Sequence, residues 1–97
     1  MRTTSNAIHA LEMYELALSL VEAKGALVPL GKEKVMEYRV GHLTIHYLPK
    51  SGHLDIWRRR KVLMIDRWGG RLQVTRYVPG YWEDELEAAV AKSRCKA

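Results

Sequence analysis

The sequence predicts an α+β protein, a two-layer sandwich in which a five-stranded antiparallel meander carries an N-terminal and a C-terminal helix on one face, in the order α-β5-α. Three observations predict it. Apolar residues recur at helical spacing up to Gly25 and again after Gly80, whereas between Lys34 and Val78 their period falls to two. Turn signals then cut the middle stretch into five runs. A chain of 97 residues is read as one domain spanning 1–97, able to bury roughly two thirds of its unfolded surface. With 47% hydrophobic and 28% charged residues it has globular composition, which excludes a disordered chain.

The first helix has Thr4, Ser5 and Asn6 as candidate caps. On a helical wheel Ala7, Leu11, Met13, Tyr14, Ala17, Leu18, Leu20 and Val21 form an apolar arc opposite Glu12, Glu15, Ser19 and Glu22, and Gly25 stops the helix. The connector ALVPL, residues 26–30, is apolar, and Pro29 bars it from continuing the helix. It is expected to cross the edge of the core.

In the meander, GH at 41–42 and GG at 69–70 suit two-residue hairpins and PKSG at 49–52 a four-residue loop. RR at 59–60 is the poorest turn, because it lacks glycine or asparagine. Pairing through these turns sets Val40 against Leu43, Tyr38 against Ile45, Tyr47 against Leu54, Ile56 against Leu63, and Ile65 against Val74. All share one face, which Met36 and Leu72 join. The second helix follows Pro79 and Gly80, with Glu83, Asp84 and Glu85 at its start, Lys92, Arg94 and Lys96 at or beyond its end, and Trp82, Leu86, Ala89 and Val90 as its apolar stripe.

Charge is held unevenly. Of the formal net charge of +5, residues 34–78 contribute ten basic and three acidic side chains. The stretch DIWRRRKVLMID, residues 55–66, places Arg58, Arg59, Arg60 and Lys61 at a hairpin tip, with Arg39 and Arg76 at the same end and Trp57 and Tyr77 beside them on the outer face. Basic groups among aromatic rings suit phosphates and stacked bases, so nucleic acid is one expected partner. The opposing expectation is that Glu83, Asp84, Glu85 and Glu87 neutralise the cluster from the second helix.

The outer face also carries Val35, Leu48, Trp57, Val62, Met64, Trp68 and Tyr77. So apolar a surface is expected to be an interface, and the leading expectation is a non-enzymatic interaction module that forms homo-oligomers through Trp57, Val62, Met64, Trp68 and Tyr77. Across the same face Glu37, His46 and Asp55 align, with His53 and Asp66 one step along. Histidines among carboxylates can serve as acid, base or metal ligands, and cross-strand charge pairing explains the same row without chemistry.

No catalytic residue, resident metal or cofactor is assigned. Residues 25–33 hold five residues between two glycines where a phosphate loop needs four, and they lack the hydroxyl residue after Lys32. His42 and His46 lie on a turn and strand, which separates them, and no serine sits in a nucleophile elbow. His9 reads as a polar residue of the first helix. Neither a signal-peptide core nor a membrane span can be drawn, and Cys95 is the one cysteine, so the expectation is a soluble cytoplasmic protein without an intramolecular disulfide or membrane partner.

Overall fold

The computed structural model describes residues 3–94, with side chains from residue 8 onward; Cys95 and Lys96 lie outside the described residues. Its elements run α1 (Thr3–Lys24), β1 (Ala26–Leu30), β2 (Glu33–Val40), β3 (Leu43–Leu48), β4 (His53–Arg58), β5 (Arg60–Trp68), β6 (Arg71–Tyr77) and α2 (Trp82–Arg94). The strands form one antiparallel sheet in chain order. The architecture is the expected α+β sandwich with six strands rather than five.

The extra strand is the ALVPL connector, which pairs with β2 from Ala26 against Glu37 to Leu30 against Glu33. Pro29 excludes a helix but not an edge strand, where its missing N–H needs no ladder partner. The helix passes into this strand through Gly25, whose N–H donates to Val21 O at 2.7 Å. A Cβ there would lie 2.5 Å from Val21 O, so no larger residue fits this corner. At its other end α1 already includes Thr4, Ser5 and Asn6, which therefore lie inside the helix instead of preceding it as caps.

All five predicted cross-strand pairs form. Their shared face is the core: Leu43, Ile45, Leu54, Ile56, Leu63 and Ile65 are buried against Met13, Tyr14, Ala17, Leu20 and Val21 of α1 and Trp82, Leu86 and Val90 of α2. Each such aliphatic side chain stabilises the fold by about 1.5–3 kcal/mol. The helix spacing 10, 13, 14, 17, 20 and 21 is the one the alternating sheet requires as a cover.

Two bulges change which residues reach that core. The tip between β4 and β5 is narrower than the expected two-residue turn, because Arg58 pairs with Arg60 and Arg59 alone forms the apex. Trp57 then faces Lys61, and the register shifts before Ile56 meets Leu63, leaving Val62 as the extra residue. Val62 turns into the core cluster, so it does not belong to the outer face. A second shift between Met64 and Ile65 leaves Thr75 without an opposite residue, and the Thr75 hydroxyl donates to Met64 O at 3.0 Å. Beyond it Arg76 faces Met64 on the outer side and Tyr77 faces Leu63 on the inner side. Tyr77 is accordingly packed edge-on against Trp82 beneath α2, the opposite face from the one expected.

The narrow apex forces Arg59 to φ 71°, a left-handed conformation that costs an L side chain roughly 1–2 kcal/mol. Arg59→Gly is expected to raise stability in urea titration by about 0.5–1 kcal/mol, and Arg59→Val to lower it by at least about 1 kcal/mol. A glycine variant less stable than the parent would contradict the left-handed apex.

Candidate nucleic-acid interface

The register fixes two transverse rows on the outer face near the β4–β5 tip. Arg39, Thr44, Trp57 and Lys61 succeed one another across β2 to β5. Behind them run Glu37, His46, Asp55, Met64 and Arg76 across β2 to β6. At strand spacings of about 4.8 Å the first row spans roughly 15 Å. Lys61 Nζ sits 4.9 Å from the centroid of the Trp57 ring, which keeps a cation against an indole that is itself 37% exposed. Arg60 joins Lys61, Met64 and Arg76 around an open hollow of about 500 Å³.

The acids of the face are engaged locally. His46 Nε2 donates to Glu37 Oε2 at 2.8 Å, and Arg39 Nη2 lies 3.6 Å from the same oxygen. The histidine hydrogen bond, with Arg39 adding to it, holds the Glu37 carboxyl below its ordinary pKa. His53 lies between two carboxylates, with Nδ1 donating to Asp66 Oδ1 and Nε2 3.0 Å from Asp55 Oδ1. Asp55 Oδ1 is buried, and His53 is the cationic side chain that approaches it. Lys61 Nζ is 3.7 Å from the other Asp55 oxygen.

Burial opposes the charged form of His53, but Asp66 and Asp55 outweigh it and raise its pKa above the ordinary histidine value. The expected row aligns in register, but the histidine that lies between two carboxylates is His53, which takes Asp55 as well as Asp66, and of the described carboxylates His46 contacts Glu37 alone. Among the described residues no group of three such side chains is arranged to hold a metal ion.

The acids of α2 do not neutralise the basic cluster as a whole. Glu85 takes Arg58 through Nε at 3.0 Å and Nη2 at 2.9 Å, which removes Arg58 to the helix side of the tip. Glu83 instead accepts the Tyr77 hydroxyl and His9 Nε2, the latter at 2.9 Å. The Glu83 hydrogen bond raises the His9 pKa, and burial followed by the same carboxylate raises that of Tyr77. Among the described residues Arg59, Arg60 and Arg76 make no ion pair within 4 Å.

Of the residues expected at the basic site, Arg39, Lys61, Arg76 and Trp57 share the outer face. Arg60, paired with Arg58, borders both the outer hollow and one on the helix side with Val62 and Trp82. Arg59 stands at the apex, and Arg58 and Tyr77 face the helices. Of the expected oligomer surface, Val62 and Tyr77 are inside, Val35 is 1% exposed, and Leu48 and Met64 are partly covered. Trp57 and Trp68 remain, separated by roughly 20 Å along β5 with the His53 pairs between them. The Glu83, His9 and Tyr77 cluster has no short-range signature; its one signal is that strict alternation on β6 would have put Arg76 rather than Tyr77 against the core.

No protein-family model, curated protein or solved structure matches the chain. Among the described residues no helix is long and apolar enough to cross a membrane.

The raised pKa of His53 carries a sign. Its stabilising contribution is fully present below the unfolded histidine value of about 6.5 and is lost as pH rises through the higher folded value. A proton NMR titration is expected to find the His53 midpoint above that of the unfolded chain, and Asp66→Asn to move it down. An unchanged midpoint in Asp66→Asn would contradict the pairing.

Proposed function

We propose that the protein is a non-enzymatic binding module for single-stranded nucleic acid, with the outer sheet face at the β4–β5 tip as its contact surface. The observation that carries this reading is Lys61 held against the exposed Trp57 ring, with Arg39 in the same row and Arg60 and Arg76 lining the adjacent hollow, while the neighbouring carboxylates are engaged by histidines. The arginines and lysine supply phosphate contacts, and Trp57 supplies a stacking platform worth about 1–3 kcal/mol per base. A row of this kind across four strands suits splayed, unpaired bases. Both helices pack on the other face of the sheet, so neither is placed to enter a major groove from this surface.

A second reading is self-association through the sheet, favoured by Trp68, which is 67% exposed at the far end of the outer face. Light scattering at tens of micromolar separates the two. A dimer that Trp68→Glu dissociates, in a protein that retains no oligonucleotide, belongs to the second reading.

Fluorescence anisotropy with labelled oligothymidylate is expected to show saturable binding at low salt. Four phosphate contacts give a log–log salt slope of about −3. The Arg60→Ala/Arg76→Ala pair is expected to weaken binding by about tenfold or more, and Trp57→Ala by a similar amount without altering the salt slope. Absence of binding at low salt, or full binding by the double variant, would overturn the reading.

A further inference from the structure

We propose that the hollow where the β1–β2 turn meets the β3–β4 loop is a binding site for a small amphipathic carboxylate, in chemical class a medium-chain fatty acid. It lies at the end of the sheet opposite the arginine tip. Its volume of about 390 Å³ is within the range of small-molecule sites. Its lining combines the apolar residues Leu27, Leu48 and Pro49 with Lys32, Lys34 and Lys50.

Leu27 is the informative residue. It pairs with Met36 and continues the inner row through Tyr47, Leu54 and Ile65, yet it is 58% exposed while Leu54 and Ile65 are fully buried. An apolar side chain left open inside a hollow favours an apolar occupant. The three lysines favour that occupant's charge, because Glu33 is the one acid of the lining and none of the three ammonium groups makes an ion pair among the described residues. Lysine stems also lie along apolar surface while presenting their charge at the mouth.

The walls are held in place by the ladder, with Leu30 paired to Glu33 on one side and Leu48 to His53 on the other. The loop wall turns through Gly52 at φ 79°, whose N–H donates to Leu48 O at 2.8 Å. The site therefore needs little ordering on binding, which favours a small ligand over a long peptide. A carboxylate with a tail of eight to ten carbons matches both halves of the lining, in a size range of about 300–1,000 Å³ typical of such pockets.

Isothermal titration calorimetry with decanoate below its micellar concentration tests the site, with acetate, decyltrimethylammonium and phosphatidylglycerol vesicles as comparison probes. Saturable one-site binding of decanoate is expected, with none of acetate or of the cationic amphiphile. Lys34→Glu/Lys50→Glu is expected to weaken it by about tenfold or more, and so is Leu27→Ser, with the thermal melts unchanged. Failure of decanoate to bind, equal binding of the cationic amphiphile, binding to vesicles alone, or parental affinity in both folded variants would each overturn the proposal. Arg60 and Arg76 take no part, so oligonucleotide binding stands or falls separately.

Discussion

Side chains of a strand alternate between two faces, and in this protein one of those faces is covered by helices. Every feature of the outer face descends from that constraint. A displacement of one residue in register moves a whole run of side chains through the sheet, so whatever α1 and α2 cover decides what the opposite face presents. Two bulges exploit this. They insert Val62 and Thr75, carry Val62 and Tyr77 to the helices, and leave Lys61 and Arg76 facing outward. Without them the outer face would be more apolar and the core would have to accommodate an arginine.

The same geometry sorts the charges. The three acids of the region sit on the outer face and are met there by His46 and His53, so each carboxylate inside the basic surface has a histidine partner. On the helix side, Glu85 and Glu83 hold Arg58, Tyr77 and His9, which pins the start of α2 to the tip and to α1. The exposed Arg58 pair contributes about 0–1 kcal/mol at most. Its larger effect is positional, since it ties Arg58 to the start of α2. What remains outward is a basic row around one indole.

Much of this was legible in the sequence, for reasons that differ by element. The paired turns at 41–42, 49–52 and 69–70 and the alternation of Tyr38, Ile45, Ile56 and Ile65 identified the sheet, its order and its buried face, because a slip at any turn would have mixed apolar and charged side chains. The helices were legible from their period. The sixth strand was not, because Pro29 interrupts the run of ladder donors and fits a strand only where that strand is at the edge. The bulges were also missed, although adjacent apolar residues at Val62 and Leu63, and the arginine that strict alternation would bury at 76, both signal them. Those two misses account for the misplacement of Val62 and Tyr77. The His/Asp row was found because it lies where the register is regular, and the Lys-rimmed hollow was not, because it joins a turn and a loop distant in sequence.

The central claim is that the two bulges divide the aromatic and basic residues between opposite faces. Nuclear Overhauser contacts in the labelled protein test this directly. The account predicts contacts from the Tyr77 ring to Trp82 and His9 and from the Val62 methyls to the helix layer, together with contacts between the Lys61 side chain and the Trp57 ring. Tyr77 contacts to Met64 and Trp57 on the outer face, with none to Trp82, would contradict it.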